Sequence, residues 1–197
     1  MRRRGLLCAL VVTALVAGCS GDDAGSLERS ELPQLVVQPG DLPSVFEEFD
    51  RGAQGRADAF LGRAVDPGRF GRVDGWKARY RRPGGQRAPG PLVVESKLDL
   101  FESAEGAKRE LDRIATVIRE TFGGAEIDNS TRLGDETLAA TFGRQAGGFA
   151  TQFVVLVWRA ENVTAALIVT GVRGLAVSDA VALGRKQQQR IDRLAAD

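Results

Sequence analysis

The chain of 197 residues contains no histidine. That absence removes Ser-His-Asp and Cys-His catalysis, the usual zinc sites and imidazole-based pH sensing. Cysteine is almost as scarce. Cys8 and Cys19 are the two present, and both fall in the first nineteen residues. The rest of the chain can form no disulfide, thiolate metal site or cysteine nucleophile. Lysine is limited to Lys77, Lys97, Lys108 and Lys186, so nearly all positive charge is arginine. After the leader no apolar stretch approaches the twenty residues a membrane-spanning helix needs.

What is present begins with the leader. Arg2, Arg3 and Arg4 precede an apolar run from Leu6 to Val16, interrupted by Thr13, and Ala17-Gly18-Cys19 follows. A run this short with those flanks is a cleaved secretory signal. Val16-Ala17-Gly18-Cys19 resembles the bacterial lipobox at every position. That resemblance implies cleavage after Gly18, diacylglycerol (and palmitate-type acylation) on Cys19, and a protein anchored to the bacterial cell membrane, facing away from the cytoplasm. Two or three acyl chains at about 0.8 kcal/mol per buried methylene hold such an anchor firmly. Arg3-Arg4 partly matches a twin-arginine signal, but its flanks fit Sec export better.

Removing residues 1–18 takes three arginines away. The mature chain of 179 residues then carries 24 basic and 26 acidic groups, a net charge of −2. That excludes bulk electrostatic binding of nucleic acid. The length suits one domain. Residues 20–31 are polar and acidic, including Asp22 and Asp23, and read as a tether over 19–31. Residues 32–197 form the domain.

Periodicity places its elements. Leu35-Val36-Val37 reads as a short strand. Phe46 and Phe49 supply apolar anchors, and a helix is expected from Ala53 to Val65. Strict alternation puts Trp76, Ala78 and Tyr80 on one strand face, and Val94, Leu98 and Leu100 on the next. A Gly/Pro-rich loop from Pro83 to Pro91 joins them. Ser103 caps a long helix carrying Ala107, Leu111, Ile114 and Ile118, stopped at Gly123-Gly124. Strands follow at Thr137–Phe142, Gln152–Arg159 and Val163–Thr170. The middle one is apolar on both faces and so central. A final helix runs from Val177 to Ala195. The fold class is α+β, an antiparallel sheet packed against two long amphipathic helices.

The order of elements resembles the PsbP-like α/β/α sandwich. Asp41-Leu42-Pro43, Leu133-Gly134-Asp135-Glu136 and Val157-Trp158-Arg159 through Asn162-Val163 are similar to LpqN-type lipoproteins and PknH-type kinase sensor domains. The resemblance implies a non-catalytic binding or interaction module and carries over no functional residue.

Candidate sites are few. Lys77, Arg79, Arg81, Arg82 and Arg87 form a basic cluster. It suits lipid headgroups, envelope polymer or an acidic partner, or else it is the solvated face of an edge strand. Trp76, Tyr80, Phe101 and Trp158 are aromatics for a pocket or for the core. Asp135-Glu136 with Asp128 lacks calcium-loop spacing, so no metal and no cofactor are expected. Glu47, Glu48 and Asp50 are the carboxylates that an alternative function, an envelope hydrolase, would use. The leading reading is a lipid-anchored, non-enzymatic module for an unknown protein, an envelope polymer or a small apolar ligand.

Overall fold

The computed structural model describes residues 27–55, 67–83, 89–121, 126–128, 130–146, 149–172 and 174–196. Among these, seven strands form one sheet: β1 (Glu47–Ala53), β2 (Arg72–Arg81), β3 (Pro91–Phe101), β4 (Glu126–Asp128), β5 (Glu136–Ala146), β6 (Phe149–Ala160) and β7 (Val163–Gly171). Their order is β1-β2-β3-β7-β6-β5-β4, and every pairing is antiparallel. Three helices accompany them: α1 (Leu32–Leu35), α2 (Ala104–Thr121) and α3 (Val177–Ala195).

The helices lie on opposite faces. On one face Leu111, Ile114, Ala115 and Ile118 of α2 meet Leu138, Ala140, Phe142, Val155, Val157, Ala166 and Ile168. On the other, α3 and the segment from Leu27 to Val37 cover Ala78, Tyr80, Val94, Leu98, Leu156, Trp158 and Leu167. The two-faced apolar strand is β6, sandwiched as its sequence requires. Ser103 caps α2 by accepting a 3.1 Å bond from Gly106 N. Gly184 lets α3 approach closely, because a Cβ there would lie 2.8 Å from Leu133 Cδ1.

Four expectations need correcting. Leu35-Val36-Val37 is no strand. Pro33 starts a single helical turn at Leu32–Leu35, and the apolar triplet is buried as part of the core. Its backbone is satisfied laterally: Val37 N donates to Ser96 Oγ at 3.0 Å, and Tyr80 Oη donates to Val37 O at 2.7 Å. Ser96 Oγ in turn donates to Gln187 Oε1 of α3 at 2.9 Å. Order also begins earlier than the tether expected over 19–31. Leu27 is already buried, and Arg29–Glu31 form a 3₁₀ turn. Ala53 ends β1 rather than starting a helix, and residues 56–66 of that expected helix lie outside the described residues. Phe49 is exposed, not an anchor, because the register shifts between Glu48 and Asp50.

The sheet has two ends. At the proximal end β2 begins, β3 finishes and the β6–β7 turn lies. The N-terminal segment enters there, with Arg29 Nη2 donating to Val73 O at 3.4 Å. The distal end holds the β2–β3 connection, the β5–β6 hairpin, the end of α2 and the start of α3.

Candidate interaction surfaces and clefts

Strand alternation turns Lys77, Arg79 and Arg81 toward the α2 side, away from Trp76, Ala78 and Tyr80. Their neighbours come from the flanking strands. Asp50 of β1 lies 3.3 Å from Lys77 Nζ and 3.2 Å from Arg79 Nη1. Glu95 of β3 lies 2.7 Å from both Arg79 Nε and Lys97 Nζ. Two of the five cluster cations are therefore held within a ladder of alternating charge. Lys97 is buried within it. Such pairs fix register more than they add stability.

The other members differ. Arg81 is exposed, with its guanidinium 5.7 Å from the Phe49 ring centre. Arg82 donates to Pro89 O at 2.6 Å and so braces the β2–β3 connection. Arg87 lies outside the described residues, as does Cys19.

The ladder continues to Asp99, whose carboxylate takes bonds from Arg72 Nε at 2.5 Å and Gln54 Nε2 at 3.2 Å. Burial pushes the Asp99 carboxyl up to about 6. Arg72 opposes that shift and nearby Glu110 of α2 adds to it. Glu110 is itself buried and paired with Arg113.

The four aromatics do not share a pocket. Tyr80, Phe101 and Trp158 are fully buried core residues. Tyr80 Oη accepts a 2.6 Å bond from Arg51, and burial pushes its pKa up to about 12. Trp158 Nε1 donates to Gln188 Oε1 at 2.6 Å. Trp76 is half-buried, and its Nε1 finds no partner among the described residues.

The acidic candidates are likewise engaged. Asp128 accepts from Ser130 N, Ser130 Oγ and Thr131 Oγ1, and these bonds pull its carboxyl down to about 2. Asp135 pairs with Arg159 at 2.8 Å and accepts from Glu161 N. Glu136 faces Lys108 at 3.7 Å. No group of three metal-ligating side chains gathers among the described residues. Glu48 is bound to Arg51 at 2.7 Å, and Asp50 to the ladder.

Among the described residues, two clefts stand out. One of about 320 Å³ lies distally, between β5, β6 and the approach to α3, lined by Thr141, Gln152, Val154, Leu175 and Val177. The other, about 450 Å³, lies proximally. Ala160, Ile191 and Ala195 form its apolar wall, and Asp135, Glu161 and Asp192 its rim. Gly134 at φ +55° and Glu161 at φ +51° shape the turns there. The sequence gives no sign of either cleft, because each joins segments far apart in the chain.

No family model matches the sequence, and a comparison with curated proteins finds no match. The fold, however, is similar to a solved structure. It is that of the extracellular domain of PknH from Mycobacterium tuberculosis, with a TM-score of 0.67 and 11% identity. The match covers 86% of this chain and 99% of that one. The chain thus shares the fold of that extracellular domain. At this identity the likeness is one of fold.

Proposed function

We propose that the chain is a lipid-anchored, extracytoplasmic binding module without catalytic activity, held through Cys19 and built on the PsbP-like layout with two long helices as cover. The observation that carries this reading is how close the lipobox is to the core. Cys19 stands eight residues before buried Leu27. Eight residues span at most about 28 Å, so an acylated Cys19 would hold the proximal end near the bilayer.

The state of the polar groups supports binding over catalysis. The carboxylates a hydrolase would use, Glu48 and Asp50, are neutralised by arginine and lysine. The fold likeness to an extracellular domain is consistent with the location. Buried Tyr80, Phe101 and Trp158 favour a protein or envelope polymer over a small apolar ligand.

Changing Cys19 to Ser tests the reading. The wild type should sediment with membranes and be cut by protease added to spheroplasts, and the variant should appear in the supernatant. Membrane retention of the variant, or protease resistance of the wild type in intact spheroplasts, would contradict it.

A further inference from the structure

Resting on the reading of the chain as a binding module, we propose that the proximal cleft takes a primary alkylammonium group. That is the chemistry of a lysine side chain or of a small aliphatic amine. Size comes first. About 450 Å³ is room for an organic group rather than a bare ion. The carboxylates of its rim, Asp135, Glu161 and Asp192, do not converge as metal ligands do, since no group of three metal-ligating side chains gathers among the described residues.

The sign of the ligand follows from the lining. Its described residues include three acids and no lysine or arginine. Asp135 is paired with Arg159, which also donates to Glu161 O at 3.2 Å. Glu161 and Asp192 have no cation within ion-pair distance among the described residues. Arg193 follows Asp192 along α3, yet it is neither within that distance nor part of the lining. The distal cleft has no charged residue in its described lining, so the contrast lies between the two clefts. α3 adds to the same sign. Ala195 and Ala196 bring its C-terminal end to the cleft, and the free carbonyls there carry partial negative charge.

A buried amide prepares the site. Gln188 lines the cleft and is only 9% exposed. Its Oε1 accepts from the indole of fully buried Trp158 at 2.6 Å, and its Nε2 donates to Asp192. An amide oxygen has two lone pairs and an amide nitrogen two hydrogens. One of each is therefore without a partner among the described residues. Trp158 holds Gln188, and Gln188 holds the Asp192 carboxylate, so a rim acid is placed before any ligand arrives. The spare lone pair of Oε1 is a further acceptor for an ammonium group, which has three donors and no acceptor.

The apolar wall selects the stem. Ala160, Ile191 and Ala195 offer no side-chain hydrogen bond. A bare ammonium ion would leave them wet, whereas methylenes cover them while the charged head stays at the rim. The indole beneath reports on the site. A Cβ on Gly134, also in the lining, would lie 3.1 Å from Trp158 Cδ1.

The test uses the full lipidated protein in nonionic detergent micelles, labelled with nitrogen-15 at tryptophan. Its two indole N–H resonances come from Trp76 and Trp158 and are assigned with Trp76→Phe. Pentylammonium should shift the Trp158 resonance saturably and leave that of Trp76 in place. Ammonium ion, magnesium and pentanol should neither reproduce the shift nor displace the amine. E161Q/D192N should bind at least tenfold more weakly, with an unmoved Trp76 resonance showing that it is folded. E120Q/D179N removes two exposed carboxylates elsewhere and should bind within twofold of wild type. Nα-acetyl-lysine methylamide separates the two sources. Binding equal to that of pentylammonium assigns a polypeptide lysine, binding of the free amine alone assigns a small amine, and both support the site. No saturable shift of Trp158, an equal shift with pentanol, or equal losses in the two double variants would overturn the proposal. Because acylation of Cys19 is read by mass in the same sample, an anchored wild type that ignores the amine leaves the anchored-module reading standing.

Discussion

Asp99 shows how one half-buried carboxyl makes stability depend on pH. Its folded pKa of about 6 lies above the ordinary aspartate value near 4. Between those values the native state keeps a proton that the unfolded chain has released. The stability from this group is therefore full below about pH 4 and is lost as pH rises through about 6. The size is on the order of 3 kcal/mol. Asp99→Asn should flatten the wild type's decline across that window, as read from urea midpoints at half-unit pH steps. An Asn variant that keeps the wild-type slope would show that another group titrates there.

Elements were legible where one face met a uniform environment. The alternation of β2 and β3, the two-faced apolarity of β6, and the helical spacing of α2 and α3 are all written in local pattern. Val155, Val157, Leu111 and Ile118 are buried together between strand and helix. Leu111→Ala should accordingly cost about 2–5 kcal/mol in urea unfolding, and a loss under half a kilocalorie would misplace that helix face. Pattern failed where partners come from afar. Val36 and Val37 look like strand because they are apolar, yet Ser96 and Tyr80 hold the Val37 backbone, with Gln187 behind Ser96. β1, rich in charge, is not read as a strand, because its pairing depends on Asp50 meeting the cations of β2. The basic cluster was legible as composition, but its division into ladder and exposed tip was not, because Glu95 and Asp50 lie on other strands. Ser96→Ala should test the N-terminal docking. It leaves Val37 N and Gln187 Oε1 unpaired in the core, at a cost of about 1–3 kcal/mol, with faster amide exchange across residues 27–43. Unchanged exchange there would mean the segment is held by its apolar side chains alone.

For the molecule as a whole, anchoring, orientation and binding form one argument. In the proposed reading the leader supplies a lipid on Cys19, and eight residues link it to buried Leu27. The measurement closest to that claim is the intact mass of the protein extracted from membranes. The account predicts a mature chain beginning at Cys19, heavier than its 179-residue polypeptide by a diacylglycerol, with or without a further acyl chain. An unmodified cysteine, or a chain retaining residues 1–18, would contradict it.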